Sequence, residues 1–259
     1  MTNTIHPSAI VSPRAHLGSG NHIGAFAIIE DDARLGDDNR ISAHAVVKRY
    51  TEMGDRNALF ETAVLGGDPQ DLKFKDVPSY LRVGNDNVFR EGVAVNRASK
   101  AEMATVLGNG NFLMCTAHIG HDCQVGNHVV MAPSAGLGGH VSVGDRAFIS
   151  GGVMVHQFTH IGTLAMVGGN AKITQDVLPY MITDGNPARV HGLNAIGLKR
   201  TGFSREHLAA LKDAYRILFA KGRRLDEALQ ELSAIDSIHV AHLIEFIGNA
   251  KRGFHRARD

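Results

Sequence analysis

The chain has 259 residues, with 27 Lys plus Arg against 26 Asp plus Glu and a formal net charge of +1. That balance excludes the broad basic surface of a nucleic-acid-binding protein, and 2 cysteines are too few for a disulfide framework and favour a reducing compartment. The opening MTNTIHPSAIV lacks the apolar stretch of a signal peptide, and no segment approaches membrane-spanning length, so a cytoplasmic protein that is not membrane-embedded is expected.

From Ile5 onward every sixth residue is apolar in one phase: Val11, Leu17, Ile23, Ile29, Leu35, Ile41, Val47, Met53, Leu59 and Leu65. The phase returns at Val83, Phe89 and Val95, and again from Leu107 through Ile173. A period of six walks around a helix instead of staying on one face. Hairpins would give alternation broken by turns of varying length. The spacing therefore predicts a parallel β-helix of hexapeptide repeats, with three hexads closing one triangular coil of about 18 residues. Glycine often follows the apolar residue (Gly18, Gly24, Gly36, Gly54, Gly84, Gly108). Such residues are expected to fill the corners, where a Cβ would crowd the next coil. Residues 66–82 and 96–106 interrupt the phase without changing it, so they read as loops extruded from the prism, a common place for function.

After Ile173 the hexad stops. Helical spacing appears from Ser204, a candidate N-cap, through Leu208, Leu211, Tyr215, Leu218 and Phe219, with Gly222 as the stop. Two further helices fit Leu225–Leu232 and Val240–Ile247. The expected organisation is a β-helix over 1–189 and a small α-helical domain over 190–259.

Folding the sequence at 18 residues per coil aligns Gly120, Gly138 and His156 in one column, with His121, Gly139 and Gln157 beside it and Asp122, His140 and Phe158 next. His121, His140 and His156 thus fall at one corner of three coils, about 10 Å apart end to end, with His118 leading in. Imidazoles clustered there suit proton transfer near neutral pH. A rival reading takes His118-x-x-His121-x-Cys123 as zinc ligands. Side-chain alternation along a strand argues against Cys123 converging with both histidines, so no metal and no cofactor is expected. The glycine pairs at 138–139, 151–152 and 168–169 precede no helix and so do not read as phosphate loops.

Several blocks are specific enough to name a relationship: Gln70-Asp71-Leu72-Lys73-Phe74, Ala117-His118-Ile119-Gly120-His121-Asp122-Cys123, Gly139-His140-Val141-Ser142-Val143, Val155-His156-Gln157-Phe158, and the run from Gly192 to Arg205. Over nearly its whole length the chain resembles the UDP-N-acetylglucosamine O-acyltransferases of lipid A biosynthesis, in the hexapeptide-repeat acyltransferase family. That resemblance implies a left-handed prism, a homotrimer with active sites between subunits, and two substrates, acyl carrier protein and UDP-N-acetylglucosamine. It implies transfer of a 3-hydroxyacyl group to the sugar 3-hydroxyl. It makes His121 the general base, Asp122 its partner and the Gly139 N–H the oxyanion donor. His118, His140, His156 and Gln157 are then expected to line the cleft, with Gln70, Asp71 and Lys73 reaching in from the first loop. Asn194 and Arg200 match nucleotide-holding residues, Thr201 stands where the pattern often has a second Arg, and Gly169 lies along the acyl groove as a chain-length ruler. Two alternatives are a related prism N-acyltransferase acting on a UDP-amino sugar and a zinc-dependent carbonic anhydrase-like enzyme. Whether the acceptor carries a 3-hydroxyl or a 3-amino group is not fixed by these residues. Finally, basic residues outnumber acids between Lys199 and Arg224, a candidate docking surface for an acidic carrier protein.

Overall fold

The computed structural model describes residues 2–257. The chain winds as a left-handed parallel β-helix with three faces. The first face starts at Thr4–Ile5, the second at Ile10–Val11 and the third at His16–Leu17, and they hold 11, 9 and 8 strands. Register follows the hexad. Ile23 pairs with Ile41 and Ile41 with Leu59, but Leu59 pairs with Phe89 and Phe89 with Leu113, because the two extruded loops lengthen those coils. The series residues from Ile23 to Ile173 are buried in one continuous core. Each coil offers only a few such side chains, and stacking makes them a core.

The extruded segments are shorter than the broken phase indicates. Strands Val64–Gly67 and Tyr80–Val83 leave only 68–79 outside the prism, and Ala94–Asn96 and Ala104–Leu107 leave 97–103. Backbone pairing continues past the point where the side-chain phase is lost, as in Tyr80 with Ala104, because a ladder needs N–H and C=O groups rather than apolar residues.

The corners also differ from expectation. Their left-handed positions are held mostly by non-glycine residues, among them Asp38, Arg56, Asp122 and His140. Glycine is needed two residues earlier at the corner joining the third and first faces. A Cβ on Gly54 would lie 2.9 Å from the Gly84 carbonyl oxygen of the next coil. That corner is saturated by side chains. Asn21, Asn39, Asn57 and Asn87 are buried, and each Oδ1 accepts from the backbone N–H one coil on: Asn39, Asn57, Asn87 and Asn111, all at 2.9 Å. A parallel row runs in the other direction, with Asp37 N–H donating to Asp55 at 2.8 Å and Asp55 N–H to Asn85 at 2.7 Å.

Beyond Ile173 the strands Met181–Gly185 and Ala188–Leu193 form an antiparallel hairpin at the end of the first face. Four helices follow: α1 (Ala195–Arg200), α2 (Arg205–Leu218), α3 (Leu225–Leu232) and α4 (Ile238–Asn249). Ser204 caps α2 by accepting from the His207 N–H at 3.2 Å. The helix ends at Leu218, and Gly222, at φ +75°, turns the chain toward α3. The helices share a second core with Leu178, Tyr180 and Val190. Among the described residues no helix is long and apolar enough to cross a membrane.

Candidate functional site

The histidine corner joins the second and third faces. On the second face His118 pairs in register with Gly136, and Gly136 with Met154. Ile119, Leu137 and Val155 point inward, so by strand alternation His118 faces out. Gly136 has no side chain, and Met154 Sδ lies 3.0 Å from where its Cβ would be. This row borders a cleft of about 490 Å³ lined by Gln70, Asn96, His118, His121, Gly139, Met154, His156 and Gln157.

Within it His121 Nδ1 lies 2.6 Å from Asp122 Oδ2. Asp122 is itself fixed: its N–H donates to Thr105 Oγ1 at 2.7 Å, and the Ser99 N–H donates to both carboxylate oxygens at 3.2 Å. Burial raises the Asp122 pKa, but the hydrogen bonds from Ser99 and His121 outweigh it and leave the carboxyl below its ordinary value. In the neutral tautomer, an ionised Asp122 accepts from Nδ1–H and places the ring's lone pair on Nε2, where a proton can be taken up. Burial lowers the His118 pKa, so its imidazole stays neutral through the physiological range. Gly139 sits directly over His121. A Cβ there would lie 2.6 Å from His121 Cε1 and 2.7 Å from Nε2. Among the described residues the Gly139 N–H donates to no acceptor, which leaves it available to an oxyanion.

Three of the four expected histidines line the cleft, and His140 does not. It occupies the left-handed position of its corner (φ 60°), stacks on Phe158 with centroids 4.6 Å apart, and places Nε2 3.5 Å from Asp122 Oδ2. The corner turns successive side chains apart, so a one-residue offset moves His140 behind Asp122. Among the described residues, His121, Asp122 and His140 form the trio whose ligand atoms lie within 4.8 Å of one another. The His118-x-x-His121-x-Cys123 set does not converge. Cys123 is buried, its Sγ donates to the Gly138 carbonyl at 3.2 Å, and burial pushes its thiol up to about 12, far from a ligating thiolate.

Other expected residues are spread wider. Gln70 reaches the cleft, but Asp71 and Lys73 do not line it within this chain. Asp71 Oδ1 instead accepts the Lys73 N–H at 2.9 Å, and the intervening Leu72 is fully exposed. Asn194 and Arg200 line a separate cavity of about 660 Å³ on the first face, with Arg146, Phe148, Met166 and Ile196. Asn194 is committed to the fold there, capping α1 at Gly197 N–H (3.1 Å) and donating to the Leu164 carbonyl (3.0 Å). Gly169 is exposed and lies outside the cleft lining. The basic stretch 199–224 is partly neutralised: Arg216 pairs with Asp213 at 3.1 Å, Arg223 with Glu231 at 2.5 Å and Arg224 with Asp226 at 2.9 Å. Two of those acids lie beyond the stretch. Ser99 and Thr105, which hold Asp122, are absent from the sequence reading. Neither lies in the histidine columns, and the loop that brings Ser99 in breaks the repeat that would have located it.

The sequence matches the family model described as Udp N-acetylglucosamine O-acyltransferase, Domain 2, over residues 176–255, and the bacterial transferase hexapeptide model over 14–49 and 104–139. An acyl-[acyl-carrier-protein]–UDP-N-acetylglucosamine O-acyltransferase of Alkalilimnicola ehrlichii is 49% identical over 255 residues, covering 97% of this chain and 99% of that protein. The crystal structure of a UDP-N-acetylglucosamine acyltransferase from Bacteroides fragilis superposes with a TM-score of 0.96 at 36% identity, covering 98% of this chain and all of that one. The corresponding Moraxella catarrhalis enzyme superposes at 0.94 and 36% identity, covering 97% of this chain and 99% of that one.

Proposed function

This chain belongs to the acyl-[acyl-carrier-protein]–UDP-N-acetylglucosamine O-acyltransferase family, and from that premise we propose how the His121 corner carries out the reaction. The enzyme moves an acyl group from acyl carrier protein to UDP-N-acetylglucosamine. In our reading the acyl group is a 3-hydroxyacyl chain, the acceptor is the sugar 3-hydroxyl, and the product enters lipid A biosynthesis in the cytoplasm.

A sugar hydroxyl is a poor nucleophile at neutral pH and needs a base as it attacks. His121 Nε2 takes the hydroxyl proton, while Asp122 holds Nδ1–H and stabilises the imidazolium that forms. The sugar oxygen bonds to the thioester carbonyl carbon, and the carbonyl oxygen becomes an oxyanion held by the Gly139 N–H. As the tetrahedral intermediate collapses, the C–S bond breaks, and imidazolium returns its proton to the departing thiolate, leaving ester and free carrier thiol. His118 and His156, with Gln157 and Gln70, position the sugar. His140 acts from behind, as a second contact to Asp122.

The two cavities belong to different faces of one chain, and a homotrimer reconciles them. In that arrangement a neighbouring subunit's first face, with Asn194 and Arg200, approaches the second face and supplies the nucleotide contacts. The exposed Leu72 and the Lys73 beside it then reach across to the neighbour. Gly169 leaves the acyl groove open at its end.

The observation that carries this reading is the half-buried His121–Asp122 pair beneath an unclaimed Gly139 N–H. Its test is direct: purified protein, UDP-N-acetylglucosamine and hydroxyacyl carrier proteins of graded length, with products weighed by mass spectrometry in the presence and absence of a chelator. Chelator-indifferent formation of an acylated sugar nucleotide is expected. A lack of acylated product, or its loss on chelation, would overturn the proposal.

A further inference from the structure

Arg97 is the bulkiest fully buried side chain among the described residues, at 0% exposure. Burying a guanidinium is costly, and a well-packed apolar side chain would generally serve stability as well. Its surroundings show what it does instead. Nε donates to Asp68 Oδ1 at 3.0 Å and Nη2 to Asp76 Oδ1 at 2.8 Å, while Nη1 reaches the Val77 carbonyl at 2.7 Å and Ser79 Oγ at 3.1 Å. One side chain therefore staples both ends of the extruded segment 68–79. The guanidinium carbon also lies 5.0 Å from the ring centroid of Phe74, within that segment, and 5.4 Å from that of Tyr50 on the prism. Asp68 and Asp76 keep 59% and 61% side-chain exposure, so they do not depend on Arg97 for solvation.

The same residue begins the second extruded segment. Its own N–H donates to the Gly67 carbonyl at 2.9 Å, and the Ala98 N–H donates to the Tyr80 carbonyl at 3.1 Å. Ser99 follows, with its N–H on both Asp122 oxygens at 3.2 Å. Gln70, on the first segment, lines the cleft from the other side. Arg97 is thus the point at which the loop wall of the cleft and the carboxylate behind the base are tied to one rigid group.

We infer that Arg97 is a positioning residue for acyl transfer, fixing Gln70 through the 68–79 segment and Asp122 through Ser99. This rests on the assignment of the His121 corner as the reaction site. Lysine cannot substitute, because an ammonium offers no planar fork to reach both loop ends and stack on the rings.

The test measures kcat and KM with hydroxyacyl carrier protein and UDP-N-acetylglucosamine for Arg97→Lys, for Asp68→Asn and for Ile41→Ala, the last a buried residue of the N-terminal coils. Assays run below the melting onset of every variant. Arg97→Lys is expected to lose at least tenfold in kcat/KM, with kcat lowered through Asp122 and the sugar-nucleotide KM raised through Gln70. In an Asp122→Asn background its effect on kcat should vanish while its effect on KM persists. Asp68→Asn, whose side chain is exposed, should raise that KM severalfold at unchanged melting. Ile41→Ala should melt earlier with both constants unaltered. An inert wild type would reject the functional reading itself. An active wild type with Arg97→Lys and Asp68→Asn both within twofold of it would overturn the inference, and Asp68→Asn decides alone if Arg97→Lys does not fold.

Discussion

At the corner between the third and first faces, the backbone turns past Asp37, Asp55 and Asn85, and the N–H groups there are claimed by Asp or Asn oxygens of adjoining coils. At the corner between the second and third faces the chain makes the same turn past His121 and Gly139, and the Gly139 N–H is claimed by nothing among the described residues. The backbone geometry is shared, with left-handed positions at Asp38 and Arg56 in one and at Asp122 and His140 in the other. What differs is side-chain chemistry. Asparagine stacked coil on coil from Asn21 to Asn111 satisfies polar backbone that would otherwise be buried and unpaired. Histidine, aspartate and glycine leave an N–H and an imidazole open toward a cleft. In the proposed reading one repeating scaffold supplies stability at one edge and reactivity at another.

Substituting glycine at each corner sharpens the contrast. Gly139→Ala places a Cβ 2.6 Å from His121 Cε1, so the ring must move, and a base displaced by an ångström costs on the order of 10²-fold in turnover. Gly54→Ala places its Cβ 2.9 Å from the Gly84 carbonyl and should lower the melting temperature while turnover per folded molecule holds. Equal kinetic losses in the two variants would erase the distinction between the corners.

A smaller effect is expected at Gly169. A Cβ there meets only the Gly151 carbonyl, at 3.7 Å, so Gly169→Met should fold normally. If the acyl chain runs past it, the variant should prefer shorter hydroxyacyl groups, each excluded methylene being worth about 0.8 kcal/mol, or roughly fourfold. Competition between carrier proteins of different length measures this, and an unchanged profile would remove Gly169 from the groove.

The smallest effect concerns the corner between the second and third faces one coil beyond His156 and Gln157. His255 is buried and its Nε2 accepts from the Thr174 and Gln175 N–H groups at 3.4 and 3.3 Å. Burial lowers its pKa, as it does for His118 and His239. The folded state therefore keeps these rings neutral where the unfolded chain would protonate them. Stability from them is fully present above the unfolded value of about 6.5 and is lost as pH falls below it, by at most about 1.4 kcal/mol per pH unit per ring. His255→Gln should flatten the fall in melting temperature between pH 6.5 and 5. An identical slope would mean that His255 takes no part.

The prism is legible in the sequence because a six-residue period has one structural solution, and Ile23 through Ile173 kept it wherever the chain followed the coil. The asparagine row escaped notice because Asn21, Asn39 and Asn57 repeat once per coil, not once per hexad. The hairpin 181–193 and α1 carry no apolar period long enough to read. Within the site, column arithmetic brings His118, His121, His156 and Gly139 to one corner, while the roles of His121 and Gly139 rest on the resemblance. The same arithmetic put His140 in one column with Asp122 and Phe158, both of which it contacts; cleft lining by His140 was implied by the resemblance, and a column assigns a corner but not the direction a left-handed residue sends its side chain. Ser99 and Arg97 act through loops whose path no repeat encodes. The basic excess at 199–224 is smaller in the fold than in the sequence because Asp226 and Glu231, just past that stretch, pair with Arg224 and Arg223.

Turnover and melting measured together on His121→Ala and Asn57→Ala test the division between corners most directly. Removing the base should cut turnover roughly 10²- to 10⁴-fold and leave melting unchanged. Removing Asn57, whose Oδ1 accepts the Asn87 N–H and whose Nδ2 donates to the Gly84 carbonyl, should cost about 1–3 kcal/mol of stability and leave turnover per folded molecule unchanged. Near-normal turnover in His121→Ala, or a loss of turnover in Asn57→Ala matching that of His121→Ala, would contradict the account.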